Sequence, residues 1–441
     1  MIRFLWNQAV KLENLYLFLP LFMLFLYGAQ GVTGIIIFND QSAREFLLVL
    51  VMGIGAYLAA YWVFKKKLAP RLKVNTVECV SRWPLGTWIA WVFGAYFIII
   101  IYAVLSSEKI ALLEALRGAS GVDISYAREA LFKTRSGWER SLVYLFALFS
   151  SVLVPYFLVI CYLGRKKYRH VLLVLFILSL IPSMEKALII KPLLPLCLIA
   201  FNGYLPRRYS YIFPALLLVF IFGTTQISKI SKISGGGGTD DVAAVYQKGF
   251  ILSDSGELLG VDPTVVRHYK KYFPFGVDSS SKYLVNRVLW IPYVTAYDWI
   301  RYFHDKLDSE HLYGRTSLLV STLTFQTKYP MEHEVFSYQW GAQNIPTATA
   351  NANFLVDAFV NFGWTGVLVF AAGFGAITAL IASLNNPAAK ACYYFFAYQV
   401  AGGGLMAVLF SGGLAIFVLL AIFVRPDTFD AIGNMPPDLK K

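Results

Sequence analysis

A carboxylate and an amide stand one helical turn apart where a long apolar run begins. The chain reads Asn353-Phe-Leu-Val-Asp357-Ala-Phe-Val-Asn361-Phe-Gly, and residues four positions apart share one face of a helix. A carboxylate in a first helical turn can simply complement the helix dipole. This helix, however, continues into a segment apolar enough for lipid, where an uncompensated charge needs a partner. Asp357 and Asn361 are therefore candidate site residues.

A second group of ionisable residues interrupts an apolar stretch near the middle of the chain. Residues 171–204 are broken by Pro182-Ser-Met-Glu-Lys186, and Lys191 follows shortly after. Ionisable residues at membrane depth are costly, so a site or a pathway is the first hypothesis. The alternatives are a structural pair between Glu185 and Lys191, or a Lys186 side chain that extends to the headgroups. We take Lys186 as the stronger candidate for a site.

Arginines with a spacing suited to an anion occur in both long polar segments. In the smaller segment, Arg128, Phe132 and Arg135 follow at i, i+4 and i+7 and share one helical face. In the larger segment, Arg287 and Arg301 bracket an aromatic-rich stretch. The planar guanidinium group binds phosphate through paired hydrogen bonds. We predict phosphate or glycan contacts here, with solvated or membrane-surface helices as the alternative.

The motifs expected of a metal- or nucleotide-dependent enzyme are absent from the sequence. There is no Asp-x-Asp, His-Glu-x-x-His or Cys-x-x-Cys, and no Gly-rich phosphate loop. Glu332-His333-Glu334 has suitable side-chain types, but in an extended segment adjacent residues point to opposite faces and cannot converge on one ion. We therefore expect no metal and no cofactor, and chemistry carried out by carboxylates and cations of the protein itself.

The composition indicates that membrane helices position these residues. The chain has 441 residues, of which 57% are hydrophobic and 16% aromatic, and its mean hydropathy is +0.58. Charged residues make up 15%, against about 25% in an ordinary soluble domain. This composition excludes a disordered chain, a disulfide-rich scaffold and a cytosolic enzyme.

The apolar runs predict about ten transmembrane helices, since a lipid-spanning helix needs about 20 apolar residues. Two of the ten lie within residues 171–204, out and back, with a tip in the outer half of the bilayer. The other eight are Leu15–Phe38, Phe46–Phe64, Trp83–Leu105, Leu142–Leu163, Tyr211–Gln226, Phe362–Leu384, Cys392–Phe410 and Gly412–Val424. The sequence thus predicts an all-α polytopic membrane protein.

The distribution of charge predicts which segments face which side. With both termini in the cytoplasm, the inner segments hold 18 basic and five acidic residues, which accounts for the whole net charge of +13. This pattern follows the positive-inside rule and does not indicate nucleic-acid binding. It predicts a membrane domain of seven spans at 1–226 with an outer loop at 106–140, a mainly helical outer cap at 227–352, and three spans with a cytoplasmic tail at 353–441.

The segment that contains Asp357 resembles Wzy-type O-antigen polymerases, also called oligosaccharide repeat-unit polymerases. The run Asp357-Ala-Phe-Val-Asn361-Phe-Gly363-Trp-Thr-Gly366 is similar to the family's Gly-Glu-x-Tyr-x-Asn-Phe-Gly-x-x-Gly, with Asp in place of Glu and Phe in place of Tyr. The likeness covers the order of the motifs and the two outer loops over nearly the whole chain.

Two further motifs carry the same resemblance. Ser183-Met-Glu-Lys186 is similar to a hairpin motif of the family, with Lys in place of Arg. Arg287, followed by Tyr302-Phe303 and then by Leu312-Tyr-Gly-Arg315-Thr-Ser317, resembles the family's Arg…Tyr-Phe…Gly-x-Ser region.

The resemblance implies a glycosyltransferase with a GT-C-like fold in the bacterial inner membrane, active on the periplasmic face. Its partners would be a glycan donor and a repeat-unit acceptor, both on undecaprenyl diphosphate, and the lipid bilayer. Whether a chain-length regulator also binds is left open. An acceptor hydroxyl attacks the donor's reducing-end carbon and lipid diphosphate leaves, which requires a base and cations. The implied catalytic residues are Asp357 and Lys186. The implied substrate-binding residues are Arg128, Arg135, Arg287, Arg301, Arg315 and Asn361.

Two other functions remain open at this point. An O-antigen ligase shares the architecture but transfers the glycan to lipid A core. A transporter or flippase for a lipid-linked glycan would line a path through the helix bundle with charge, whereas the predicted buried charges lie near the outer face only.

Overall fold

The fold is known from a computed structural model, which describes residues 7–74, 84–119, 121–132, 134–183, 186–220, 250–252, 258–261, 274–275, 282, 285–340 and 349–424. The predicted C-terminal tail after residue 424 and most of the first half of the cap lie outside the described residues.

Apolar helices dominate the described part of the chain, which confirms a helical membrane protein. Five helices are long and apolar enough to cross a bilayer: Leu12–Phe38, Gln41–Lys67, Leu85–Leu105, Gly137–Leu163 and Phe354–Ser383. Four shorter apolar helices are Arg169–Ser183, Leu188–Phe201, Tyr209–Phe220 and Leu414–Phe423. The total of ten spans and the GT-C-like arrangement stay predictions.

The remaining elements are short and lie mostly in the two predicted outer loops. The α-helices among them are Ala111–Leu116, Gly121–Phe132, Ile291–Lys306, Leu318–Leu323, Met331–Trp340 and Pro387–Ala401. Single π turns occur at Leu24–Gly28, Phe149–Leu153, Asn286–Trp290 and Ala407–Ser411, and 3₁₀ turns at Leu12–Asn14, Gly137–Arg140 and Ile181–Ser183. Two short strands, Phe250–Leu252 and Leu258–Val261, pair antiparallel with Phe250 opposite Val261.

The long helix Gln41–Val74 packs against both parts of Phe354–Ser383, and together they form the spine of the molecule. The two parts fold back on each other at Gly363, so that the rings of Phe354 and Phe374 lie 5.8 Å apart. At Gly375 the backbones are so close that a Cβ atom would lie 2.4 Å from the carbonyl oxygen of Tyr57. Such close approach at small residues is the usual way in which membrane helices associate. The spine holds one end of the helix that carries Asp357.

Glycines mark helix boundaries at two of the predicted spans. The predicted span Phe362–Leu384 corresponds to the second of two helices that meet at Gly363, where φ is +62° and ψ is −152°; the first begins at Phe354. The predicted span Cys392–Phe410 is not one helix, because Pro387–Ala401 ends before three glycines at positions 402–404. Glycine reaches conformations closed to other residues and is a poor helix former, so both breaks have a local cause.

The helix Ile291–Lys306, which we call the cap helix, rests on the turn between the first two long helices. The Tyr297 hydroxyl donates to Asp40, and the Nε2 atom of His304 lies 2.6 Å from Oε2 of Glu45. Burial, and then the hydrogen bond to Asp40, raise the pKa of Tyr297 well above its usual range, so that the phenol stays a donor. These contacts dock the cap onto the membrane helices.

Candidate functional site

The helix that carries Asp357 begins with a side-chain cap. The Oδ1 atom of Asn353 accepts hydrogen bonds from the backbone N–H groups of Leu355 and Val356, both at 3.1 Å. Asparagine is among the preferred N-cap residues because it satisfies N–H groups that have no partner within the helix. Asp357 therefore lies in the first turn of a helix that has a side-chain N-cap, as its sequence position predicts.

Near the break at Gly363, the helix that carries Asp357 binds residues 312–317 of the cap, which we call the docked segment. Because the helix is interrupted, carbonyl groups one turn earlier accept from outside: Leu312 N–H donates to Val360 O at 3.2 Å, and Tyr313 N–H to Asn361 O at 2.9 Å. The Gly363 backbone also leaves room for a ring, since a Cβ atom there would lie 2.9 Å from Nε2 of His311.

The docked segment brings a hydroxyl group to Asp357. Thr316 Oγ1 donates to Oδ1 of Asp357 at 2.9 Å, and Asn361 Nδ2 donates to the same oxygen at 3.0 Å. The Asn361 amide also lies 2.8 Å from Thr316 Oγ1, and its own Oδ1 accepts from Gly314 N–H at 2.9 Å. The three side chains form a closed network, so the carboxylate is held in one orientation.

The second carboxylate oxygen is left for another partner. Every hydrogen bond that the described residues give to the Asp357 side chain ends on Oδ1. The residue is only 7% exposed, and a Cβ atom at position 404 would lie 2.6 Å from Oδ2. Gly404, in the broken span, therefore leaves open the space beside that oxygen.

A small pocket with a cavity volume of about 40 Å³, room for one or two water molecules, opens at this point. Its polar lining residues come from the cap, from the start of the Asp357 helix and from the segment before it: Trp299, Thr316, Ser317, Glu332, Asn351 and Asp357. Its apolar side includes Ala352, Gly403, Gly404, Met406 and Ala407. In membrane proteins, non-helical backbone is tolerated where it lines a cavity, as Gly403 and Gly404 do here.

The structure brings together Asp357 and Asn361, but it places the arginines of the smaller loop in other surroundings. The Arg135 guanidinium donates to Ser106 Oγ and Ala103 O, each at 2.7 Å, and to Glu139 at 3.1 Å. These contacts hold the loop 106–140 against the end of Leu85–Leu105. Arg128 lies half-buried on Gly121–Phe132. Neither arginine lines the pocket.

The cap arginines lie on three different elements. Arg287 is exposed on the turn Asn286–Trp290, and Arg301 is half-exposed with its Nε 3.3 Å from Asp305 Oδ2. Arg315 is the neighbour of Thr316 in the chain, and its guanidinium carbon lies 5.8 Å from the centre of the Tyr329 ring. None of these arginines is among the described pocket residues, so their substrate contacts stay predictions.

Of the two lysines in the predicted hairpin, the structure describes the side chain of Lys191 but not that of Lys186. Lys186 begins the helix Lys186–Phe201, and its side chain lies outside the described part, as does Glu185. Lys191 is 8% exposed, and its Nζ donates to Ser150 Oγ at 3.0 Å beside the Phe146 and Phe395 rings. The joint site of Asp357 and Lys186 stays a prediction.

The acidic triplet is helical, so the prediction of an extended segment was wrong. Glu332, His333 and Glu334 open the helix Met331–Trp340, and only Glu332 reaches the pocket. Glu334 accepts from the Tyr302 hydroxyl at 3.4 Å. Burial, and then Tyr329 and Glu334, raise the pKa of Tyr302 above its usual range, so this phenol stays protonated. Within the described residues, no three His, Cys, Asp or Glu side chains are grouped to hold a metal.

Sequence reasoning did not find several pocket residues. Thr316, Glu332 and Gly404 stand 41, 25 and 47 positions from Asp357, so no local spacing connects them. In the motif Gly314-Arg-Thr-Ser317, the sequence predicts a role for the arginine, but the structure brings Thr316 and Ser317 to the pocket. The run of three glycines in an otherwise apolar span was the signal that could have marked Gly404.

Comparison of the chain with protein-family models, with characterised proteins and with solved structures finds no match.

Proposed function

We propose that the chain is a membrane glycosyltransferase that joins oligosaccharide repeat units carried on undecaprenyl diphosphate into a surface polysaccharide on the periplasmic face. One observation carries the proposal. A nine-tenths buried aspartate is fixed through one oxygen by Thr316 and Asn361, and it turns its other oxygen to a pocket lined by hydroxyl, amide and carboxyl groups. That arrangement suits a base for a sugar hydroxyl.

The reaction divides into a proton transfer and a displacement. The acceptor hydroxyl loses its proton to Asp357 Oδ2, and its oxygen forms a bond to the donor's reducing-end carbon. The bond between that carbon and the diphosphate oxygen breaks, and the lipid diphosphate leaves with the electron pair. Holding Oδ1 by two donors aligns Oδ2 with the hydroxyl, which lowers the barrier by orientation.

The leaving diphosphate requires cations, and the pocket's described lining contains none. Lys186 and the arginines of the two outer loops are the candidates for that contact. Arg315 is the candidate closest to the pocket along the chain, because it precedes Thr316. Arg135 is the least available, because its guanidinium already donates to four neighbouring oxygens.

The proposal is tested by glycan length in cells that lack the chromosomal copy and carry a variant. Asp357→Asn keeps the size of the side chain and removes its basicity, so we expect at least about a hundredfold fewer extended chains. Asp305→Asn, the same change at a half-exposed carboxylate of the cap helix, is the control and should extend chains normally. Normal chain lengths in Asp357→Asn at equal protein level would exclude this base.

Lys186 is tested in the same cells. Lys186→Met removes the charge but keeps the aliphatic stem, and it should leave single repeat units unextended. Lys186→Arg should retain partial activity, since arginine stands at this place in the motif that the hairpin resembles. If Lys186→Met gave long chains, the cation would have to come from the arginines. If repeat units failed to reach the periplasm in the Asp357→Asn cells, a transporter would be favoured instead.

A further inference from the structure

Basic residues cluster where two turns of the chain meet. One turn, 164–168, follows the helix Gly137–Leu163, and the other, 202–208, follows Leu188–Phe201. Neither turn contains an acidic residue. The turns and the residue that begins the helix after the first one carry six basic side chains: Arg165, Lys166, Lys167, Arg169, Arg207 and Arg208. A concentration of positive charge of this kind attracts anions.

This basic cluster and the cap lie at opposite ends of the helix Leu12–Phe38. At one end, the Leu12 N–H donates to Oδ1 of Asn202, in the second turn, at 3.0 Å. At the other end, the Phe38 ring stacks on Tyr297 of the cap helix. A helix of 27 residues is about 40 Å long, so the cluster is separate from the site of Asp357.

Aromatic side chains hold the two turns together and fix part of the positive charge. The Tyr209 hydroxyl lies 3.2 Å from Nε2 of His170 and accepts from the Arg169 guanidinium at 3.3 Å. The guanidinium carbon of Arg169 also lies 5.5 Å from the centre of the Tyr162 ring. That of Arg208 lies 5.1 Å from the centre of the Tyr209 ring. Cations are attracted to aromatic faces at these distances, so both guanidinium groups have a defined place.

A groove of about 410 Å³ opens beside the second turn, at the ends of Leu188–Phe201 and Tyr209–Phe220. Its lining includes Phe201, Gly203, Leu205, Arg207, Ser210 and Tyr211. The volume is within the range of small-molecule sites, about 300–1,000 Å³. At Gly203, where φ is +78°, no described atom lies within 4 Å of a Cβ position, so the turn leaves the groove open.

Arg207 is the cation that this groove presents to a ligand. Its side chain is exposed, and no carboxylate of the described residues forms a salt bridge with it. One described carboxylate, Glu13, lies near the turn: burial, and then Glu13, raise the pKa of Tyr204, which does not line the groove. A guanidinium group has five N–H donors in a planar fork that fits phosphate. The hydroxyl of Tyr211, which is 65% exposed, adds a donor to the same lining.

An apolar face continues from the groove along the helix Tyr209–Phe220. The exposed positions of this helix follow a helical spacing, and they include Tyr211, Ile212, Ala215, Leu218 and Val219. Residues at i, i+4 and i+7 share one side of a helix. Phosphate donors at one end of an apolar face match a phospholipid, whose chains extend into the bilayer from its phosphate. Inorganic phosphate would use the donors only.

We infer that this groove binds the phosphate of an anionic phospholipid, with Arg207 as the main phosphate contact and the exposed face of Tyr209–Phe220 beside the acyl chains. Basic pockets between membrane helices are a recurrent way of holding such headgroups. The basic cluster next to the groove favours a lipid with net negative charge over a zwitterionic one. The inference does not depend on glycosyl transfer, because it concerns lipid binding alone.

The test is native mass spectrometry of the full-length protein in a non-ionic detergent, titrated with one ligand at a time. Phosphatidylglycerol and phosphatidylcholine with the same acyl chains differ in headgroup charge, whereas sn-glycerol 3-phosphate and inorganic phosphate have no chains. We expect saturable binding of phosphatidylglycerol, about tenfold tighter than that of phosphatidylcholine. The two chain-free phosphates should bind at least about a hundredfold more weakly, because they cannot use the apolar face.

Matched variants separate a built site from a general attraction between a basic surface and an anion. Arg207→Gln should weaken phosphatidylglycerol binding by about tenfold or more, and Arg207→Lys should recover part of it. Lys167→Gln removes the same charge at an exposed position outside the groove lining, so it should weaken binding by about twofold at most. Both side chains are exposed, so all variants should unfold at the wild-type temperature.

Equal losses in Arg207→Gln and Lys167→Gln would overturn the inference, since the attraction would then belong to the whole basic surface. Equal affinity for phosphatidylglycerol and phosphatidylcholine would also overturn it. Chain-free phosphate that bound as tightly as the lipid would make the groove a site for a soluble anion, and would contradict the choice of a lipid.

Discussion

At the scale of single residues, the account depends on how Asp357 is held. Thr316 and Asn361 both donate to Oδ1 of Asp357, which leaves Oδ2 for a substrate. The different roles of the two oxygens therefore depend on the network and not on the aspartate alone. The sequence could predict one part of it, because Asp357 and Asn361 are separated by one helical turn. It could not predict Thr316, since that contact depends on a docked segment that comes 41 positions earlier in the chain.

Removing the threonine hydroxyl tests the network without touching the base. Thr316→Val deletes the donor to Oδ1, and a hydrogen bond to a charged group is worth about 1.5–3 kcal/mol, so we expect about a tenfold to hundredfold loss of chain extension. Thr316→Ser should restore most of it. The matched control is Thr322→Val, at an exposed hydroxyl that donates to Leu318 O in its own helix. Equal activity of Thr316→Val and Thr322→Val would show that the network does not orient Asp357.

At the scale of secondary-structure elements, the broken helices are what create the site. The long apolar runs predicted helices at both places, and helices are there. It did not predict that the first begins at Phe354 and breaks at Gly363, or that the second ends at Ala401. Hydropathy is insensitive to backbone conformation, and the N-cap at Asn353 lies ahead of the apolar run. In the sequence, the only sign of these breaks is the presence of glycines in long apolar segments.

The break at Gly363 gives a prediction about stability. The φ and ψ values there are essentially restricted to glycine, so Gly363→Ala should cost about 1–3 kcal/mol, and its Cβ would press on His311. Gly373→Ala, in the same helix with open space around it, should cause no loss. The measurement is the thermal unfolding midpoint in detergent. A midpoint for Gly363→Ala equal to that of Gly373→Ala would mean that the break is not required.

At the scale of the whole molecule, the separation of charge is what assigns the site to one side of the membrane. The sequence predicted membrane helices from composition, and the five long apolar helices confirm that class of protein. The sides are a prediction from the positive-inside rule, because the positions of helices alone carry no direction. Asp357 and the cap lie at the ends that this rule assigns to the periplasm.

Cysteine labelling tests the sides directly. Single substitutions in a cysteine-free background place a thiol in a basic segment, as in Lys67→Cys and Lys167→Cys, or in the smaller outer loop, as in Glu108→Cys; all three sites are exposed. A membrane-impermeant maleimide added to intact spheroplasts should label position 108 only. Labelling of 67 and 167 without 108 would reverse the topology and move the site to the cytoplasm.

The central claim is tested most directly by chain growth with purified components. The protein is reconstituted in liposomes with the single repeat unit on undecaprenyl diphosphate, in excess chelator and without lipid A. We predict a ladder of longer lipid-linked glycans for the wild type and for Asp305→Asn, and none for Asp357→Asn. Failure of the wild type to extend its substrate, or equal ladders with and without the Asp357 carboxylate, would contradict the account; activity restored only by a divalent ion would contradict its metal-independent chemistry.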